Sequence, residues 1–224
     1  MAFHRTTPRV VSDVDRFSTG RLLEVATALT VVLSLPQSAA DRADALVVAT
    51  GQGEEWRLSH AIRMWETNPG LRTLLVANGN PDEATYVELT ADYLRGLGLR
   101  RVEGVHVQAE PAPNTGLQAA WIVDRVRALG VTSLAVTASA YHLLRVYLTI
   151  LRTMDGSRIP LIPVPTAVAP DTRVPETGAT AYELTPGEVD RILTYADRGW
   201  LATPEELRDY LRWLWRHHRS LLVG

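Results

Sequence analysis

Short apolar runs alternate with segments of helical periodicity along most of the chain. The runs are ALVVAT (45–50), RTLLVA (72–77), GVHVQA (104–109), SLAVTA (133–138) and IPLIPV (159–164). Between them, apolar residues recur at spacings of three and four in four segments that we expect to be helices: 55–67, 83–97, 114–129 and 141–153. Because continuous apolar strands are typical of a sheet that is buried on both faces, this order predicts an α/β protein with a doubly wound, mostly parallel sheet of about five strands.

Further helices are predicted on both sides of this alternating region. Apolar positions repeat at helical spacing over 22–33, and Ser12 is a candidate N-cap for that helix. The segment 165–184 is rich in Pro, Thr and Ala and predicts a long loop. Two Thr-Pro pairs predict C-terminal helices capped by Thr185 and Thr203. The expected organisation is an N-terminal arm and helix (1–43), a Rossmann-like domain (44–166), and a loop with C-terminal helices that packs on the same domain (167–224).

Composition narrows the classes of function. The chain of 224 residues has a formal net charge of -2, which gives no electrostatic basis for nucleic-acid binding. It contains no cysteine, which excludes disulfides, thiolate catalysis and cysteine zinc sites. Its most apolar early stretch, 22–36, contains Glu24 and is shorter than the roughly 20 residues that span a membrane. We therefore expect a cytoplasmic protein with a small-molecule ligand and neither a nucleic-acid nor a membrane partner, while a homo-oligomer stays open.

Polar residues follow four of the five predicted strands. The segments are GQGEEWR (51–57), NGNPDE (78–83), EPAPNT (110–115) and ASAYH (138–142). In a parallel sheet the carboxyl ends of the strands meet at one edge, where helices begin and their first N–H groups lack partners. The sequence therefore predicts a ligand-binding cleft at this edge.

The loop 51–53 begins like a dinucleotide-binding motif but does not complete it. Trp56 stands where the third glycine is needed, and the second strand ends without the acidic residue that holds a ribose. An anion-binding backbone cradle and a plain tight turn both stay open for this loop. Arg57 then either meets a bound anion or forms a surface ion pair with Glu54 or Glu55. Neither a G-x-S-x-G elbow nor a P-loop motif occurs in the chain.

The third strand end carries a candidate acid or base. Glu110 follows this strand. A carboxylate at a strand end can orient a ribose, bind a metal or act as a base, and the alternative is that Glu110 is simply exposed. Asn114 or Thr115 is a candidate N-cap for the next helix, and Gln118 faces the same side one turn later.

The fourth strand gives way to a helix at Tyr141 and His142, with Arg145 one turn later. Histidine titrates near neutral pH, so His142 is a candidate proton carrier, whereas the alternative is a hydrogen-bonded structural histidine. His60 on the first crossover helix would form a metal site only if the fold brought it to His142 and Glu110.

Together, the four strand ends resemble the motifs of the YdcF-like family, the bacterial domain of unknown function family 218 that includes SanA-like and ElyC-like envelope proteins. DALVVATGQGEEWRLSHA supplies the early Gly, Arg and Ala of the family pattern, and ANGN is similar to its Ser-Gly-Gly segment. EPAPNT resembles E-x-x-S-x-N-T, and VTASAYHLLR resembles V-T-S-x-Y-H-x-x-R. The likeness covers residues 44 to 165 and implies a Rossmann-like fold, S-adenosylmethionine as a ligand or cofactor and, in envelope relatives, peptidoglycan or lipid-carrier metabolism.

Our leading hypothesis is an enzyme, a hydrolase or transferase, that acts on an anionic small molecule with nucleotide-like, adenosyl or phosphate character. The alternatives are a module that binds S-adenosylmethionine or a nucleotide without turnover, and an interaction protein of envelope metabolism. The candidate catalytic residues are Glu110 and His142, and no metal ligand is assigned. The candidate ligand-binding residues are Gly51, Gln52, Gly53, Arg57, Asn78, Gly79, Asn80, Asn114, Thr115, Gln118, Ser139, Tyr141 and Arg145.

Overall fold

A five-stranded parallel sheet forms the centre of the molecule, for which a computed structural model describes residues 14–223. All neighbouring strand pairs in this part of the chain are parallel. The strands, in the order β3-β2-β1-β4-β5 across the sheet, are β1 (Ala45–Ala49), β2 (Thr73–Ala77), β3 (Val105–Val107), β4 (Leu134–Ser139) and β5 (Leu161–Thr166). The predicted Rossmann-like, doubly wound sheet is confirmed, and each of the five apolar runs overlaps a strand, with β4 and β5 extending one and two residues beyond their runs.

Helices cover both faces of this sheet. They are α1 (Thr19–Leu33), α2 (Glu55–Thr67), α3 (Ala91–Gly96), α4 (Thr115–Ala128), α5 (Ala140–Thr153), α6 (Ala181–Asp197), α7 (Pro204–His217) and α8 (Arg219–Val223). Helices α4 and α5 pack side by side, while α2 contacts β1, β4 and β5. Because parallel crossovers are right-handed, α2 and α3 lie on one face and α4 and α5 on the other. None of the helices between residues 14 and 223 is long and apolar enough to cross a membrane.

The apolar runs form strands because both of their faces are covered. Every residue of β1 and β4 is buried. Large side chains from the two helical layers, such as Trp65 of α2 and Ile122 of α4, are fully buried with them. The polar groups of this region are therefore concentrated where the strands end.

The terminal helices share the same hydrophobic core. Val32 of α1 and Leu214 of α7 are buried in the cluster that also contains the strand residues. The hydroxyl of Ser18 caps α1 by accepting a hydrogen bond from the amide of Arg21 at 3.4 Å. The candidate cap Ser12 lies outside the described residues.

The segment 83–97 is helical only in its last part, α3. Thr90 caps this short helix. Before it, the amides of Ala84 and Thr85 donate to the carboxylate of Glu176, at 3.1 and 2.9 Å. The prediction of one long crossover helix is therefore wrong for the first half of the segment, because these amides bond to a distant carboxylate and not to a preceding helical turn.

Helix α6 begins five residues earlier than the sequence predicted. Thr180 is its N-cap, in a capping box with Glu183. Thr185, the predicted cap, lies inside the helix, and so does Pro186. The Thr-Pro pair was misread as a helix start because the capping box five residues earlier provides the stronger signal. Thr203 is confirmed as the N-cap of α7.

Candidate ligand-binding site

The carboxyl ends of β1 and β4 form the topological switch point of the sheet. From β1 the chain crosses to β2 on one side, and from β4 it crosses to β5 on the other side. The loops that follow these strands diverge and leave a crevice between them. A cavity of about 170 Å³ lies at this edge, and all four polar strand-end segments contribute residues to it.

The loop after β1 is held by a carboxylate of the protein itself. Residues 51–53 all have positive φ. The amide of Gln52 donates to Oε2 of Glu83 at 2.5 Å. A Cβ on Gly79 would lie only 3.3 Å from Cα of Gly51, so the second strand end approaches this loop closely. Part of the predicted anion cradle is therefore occupied by Glu83.

Gln118 joins the ends of β1 and β2. Its Nε2 donates to the carbonyl oxygens of Thr50 and Asn78, at 3.0 and 2.8 Å. The side chain of Asn78 is bonded to the backbone of Gly79 and Gln108. The side-chain amide of Asn78 therefore has its hydrogen-bond partners within the protein. Gln118, by contrast, lines the cavity.

Arg57 and Glu54 form a buried ion pair beneath the β1–α2 loop, with side chains 2% and 1% exposed. Arg57 also donates to Oγ of Ser139 at 2.9 Å and to the hydroxyl of Tyr141 at 3.3 Å. Ser139 and Tyr141 in turn donate to the Glu54 carboxylate at 2.7 and 3.0 Å. The ion pair expected at the surface is therefore internal, and the charge of Arg57 is already balanced.

A second buried network is centred on Glu188 of α6. Arg145 donates to this carboxylate through Nε at 2.7 Å and Nη2 at 3.1 Å, and Arg191 donates through Nε at 3.0 Å. Arg145 also donates to Oγ1 of Thr115, the first residue of α4, at 2.8 Å. Burial by itself would raise the pKa of the Glu188 carboxyl, but the interactions with Arg145 and His142 together outweigh burial, and the pKa lies well below its usual value.

His142 offers a hydrogen-bond donor to the cavity. Nη2 of Arg145 lies 3.0 Å from Nδ1 of His142, closer than the 3.4 Å from Nδ1 to Glu188 Oε2. Arginine only donates, so Nδ1 accepts and the proton of the neutral ring lies on Nε2. Burial and then Arg145 lower the pKa of His142 to about 3, so the ring is neutral at pH 7. His142 is 5% exposed and lines the cavity, and its Nε2 has no hydrogen-bond partner within residues 14–223.

The α5–α6 wall of the cavity carries surplus positive charge. Arg145 and Arg191 contribute two positive charges, and Glu188 contributes a single negative charge. The two arginines line the cavity together with the neutral His142, whereas Glu188 does not. Helix α4 begins at the same wall, and a helix N-terminus adds partial positive charge and unpaired N–H groups. This wall therefore suits an anionic group.

A second cavity, of about 180 Å³, adjoins the first. Thr50, Gly51 and Glu83 line both cavities. The walls of the second cavity also include the rings of Tyr86 and Tyr93. The cleft thus has two compartments with Glu83 at the boundary between them.

Glu110 lies apart from these groups. Its side chain is exposed, forms no hydrogen bond with the described residues and lines neither cavity. Asn114 is the N-cap of α4, with Oδ1 accepting the amide of Leu117 at 3.0 Å. Asn80 lines the first cavity, and its Oδ1 accepts the amide of Asp82 at 3.0 Å.

His60 and His142 have separate partners and do not meet at a metal site. Nδ1 of His60 lies 3.1 Å from Oγ1 of Thr166, whereas His142 contacts Arg145. Over residues 14–223, no group of three or more His, Cys, Asp or Glu side chains could hold a metal ion. A metal centre built from His60, His142 and Glu110 is therefore not formed.

Sequence reasoning missed the contribution of α6. Glu188, Arg191 and Tyr195 recur at spacings of three and four, which places them on one helical face. This polar stripe among apolar positions was the available signal. Its function depends on the packing of α6 against α5, which the spacing alone does not indicate.

Comparison with known proteins gives no family assignment for the chain. No protein-family model matches it, and no curated protein matches it significantly. The likeness to the YdcF-like family stays a prediction from the motifs.

Proposed function

We propose that the protein binds a small molecule through an anionic phosphate or carboxylate group in the cavity beside His142. The observation that carries this proposal is a buried imidazole whose Nδ1 accepts from Arg145, which leaves the Nε2–H group available to a ligand. His142 lines the cavity, so a ligand oxygen there can accept a hydrogen bond from Nε2–H.

Charge favours an anion over a neutral acceptor at this position. Arg145 and Arg191 outnumber Glu188, and the N-terminus of α4 adds to the positive potential. A cavity of about 170 Å³ is small for a complete dinucleotide and suits an anionic group with a short attached chain. The family resemblance supports a nucleotide-like or adenosyl-containing ligand, the rest of which would extend into the second cavity.

A second candidate function is hydrolysis or transfer of a phosphoryl group. It is favoured by the position of a neutral Nε2–H group on the same wall as two guanidinium groups, because such donors stabilise negative charge that develops on an oxygen. In this reaction His142 would stabilise charge and not remove a proton, because Nε2 already carries one. The exposed position of Glu110 gives no support to its expected role as a base in this cavity.

Calorimetric titration with inorganic phosphate tests the binding proposal. The wild type should bind phosphate saturably, and His142→Asn should weaken binding about ten-fold, because the Asn amide oxygen still accepts from Arg145 but no donor replaces Nε2–H. His142→Gln, whose longer amide places a donor near Nε2, should retain more affinity. The control is His60→Asn, since His60 lines neither cavity. Absence of saturable binding, or equal affinity of the wild type and His142→Asn, would contradict the proposal.

Turnover distinguishes the second candidate. Release of phosphate from a simple phosphate monoester by the wild type, with a loss of kcat in His142→Asn at saturating substrate, would support phosphoryl transfer. Binding without any release by the wild type would exclude it for that ester.

A further inference from the structure

Glu83 occupies a position between the two compartments of the cleft. Its side chain lines both cavities and is partly buried. Oε2 accepts the amide of Gln52, whereas Oε1 accepts no hydrogen bond from residues 14–223. One carboxylate oxygen is therefore available to a ligand in either compartment.

The negative charge of Glu83 is not balanced by an ion pair. Within the described part of the chain no Arg or His nitrogen lies within 4.0 Å of its carboxylate, and the Arg57 guanidinium is already paired with Glu54. Glu176, from the loop after β5, adds a second negative charge nearby. Burial, together with Glu176, raises the pKa of Glu83, against the opposing effects of the Gln52 amide and Arg57.

The opposite wall of the first cavity has the opposite charge. It carries Arg145, Arg191 and the neutral donor His142. A simple anion in this cavity would interact favourably with that wall and would be repelled by Glu83. A ligand that presents a cation to Glu83 and an anion to His142 satisfies both sides.

We infer that the ligand is a zwitterion, with an anionic group at His142 and a protonated amine that donates to Glu83. This inference depends on the proposed function, since it requires the anion site beside His142. It identifies the ligand class as small molecules that carry a phosphate or carboxylate and, a few bonds away, an alkylammonium group. Glu83 is then the residue that selects against anions of similar size without an amine.

A matched pair of probes tests the inference. Phosphoethanolamine and ethyl phosphate share a phosphate ester on a two-carbon chain, but only phosphoethanolamine has an ammonium group. By calorimetry at about pH 8, the wild type should bind phosphoethanolamine about ten-fold more tightly than ethyl phosphate, as expected for a charge-assisted hydrogen bond. In Glu83→Gln this ratio should fall to about one, with ethyl phosphate binding more tightly than it does to the wild type.

Glu88→Gln is the matched control, because Glu88 is exposed in the same segment and lines neither cavity. It should keep the ten-fold preference, and a thermal melt of each variant checks that it is folded. Equal binding of the two probes by the wild type, or a preference that survives Glu83→Gln, would overturn the zwitterion while leaving the anion site intact. Failure of both probes to bind the wild type would overturn the anion site and the zwitterion together.

Discussion

Arg145 donates an N–H group to Nδ1 of His142 at 3.0 Å, and this contact determines what the imidazole offers to a ligand. Because Nδ1 accepts, the neutral ring carries its proton on Nε2. Arg145 is itself held by Glu188 of α6 and Thr115 of α4. The chemistry of His142 on α5 therefore depends on the packing of three helices.

Removal of Arg145 should destabilise the protein strongly. Arg145→Met keeps much of the apolar stem but leaves the buried Glu188 with only Arg191 as an ion-pair partner besides the neutral His142. We expect a loss of about 3 kcal/mol in the free energy of unfolding, measured by urea denaturation. Arg152→Met is the control, because Arg152 pairs with Glu206 at the surface and should contribute less than about 1 kcal/mol. A loss for Arg145→Met no larger than the control would contradict the buried network.

The stability of the protein should fall as the pH is lowered from 6.5 towards 5. The pKa of His142 is about 3 in the folded protein and about 6.5 in the unfolded chain, so the unfolded chain binds more protons in this range. The expected contribution is about 2 kcal/mol between pH 6.5 and 5. Below about pH 4.5 the depressed pKa of Glu188 adds a further loss in the same direction.

Urea unfolding at a series of pH values measures this dependence. His142→Asn should flatten the curve between pH 6.5 and 5, since it removes the buried imidazole. His106→Asn, on the edge strand β3, controls for the loss of a histidine elsewhere. An unchanged slope in His142→Asn would contradict the assignment of a neutral, buried His142.

Gly53 should tolerate no side chain. It has φ 67°, and a Cβ there would lie 2.8 Å from Cβ of Thr85 and 2.9 Å from Cβ of Pro175. Gly178 has nearly the same φ, 68°, but a Cβ there would meet no atom within 4 Å. In urea unfolding, Gly178→Ala should cost about 1 kcal/mol for the backbone conformation alone, and Gly53→Ala about 3 kcal/mol because the steric clash adds to it. Equal losses would indicate that the loop after β1 relaxes freely.

The sequence was sufficient to predict the sheet because its signal is local. Each apolar run is continuous over the length of a strand, and the helical segments between the runs have a period that distinguishes them. The crossover segment 83–97 was mispredicted because Ala84 and Thr85 bond to Glu176, about ninety residues away. A contact over that separation does not change the spacing of apolar residues in either segment, so periodicity does not reveal it.

The candidate site was predictable only in part, for the same reason. The strand ends identified His142, Arg145 and Thr115, which do lie together. Their charge state, however, depends on Glu188, which reaches them from α6. Glu110 follows the third strand just as His142 follows the fourth, yet its side chain is exposed, because position after a strand does not fix the direction of a side chain.

The most direct test of the central claim is the NMR signal of the His142 ring nitrogens during titration with inorganic phosphate, with His142→Asn used to assign the resonances. We predict a neutral ring protonated on Nε2 at pH 7, and a saturable change in the Nε2–H resonance as phosphate binds, while Nδ1 stays unprotonated. A ring protonated on Nδ1, or an Nε2–H resonance that phosphate does not change, would contradict the account.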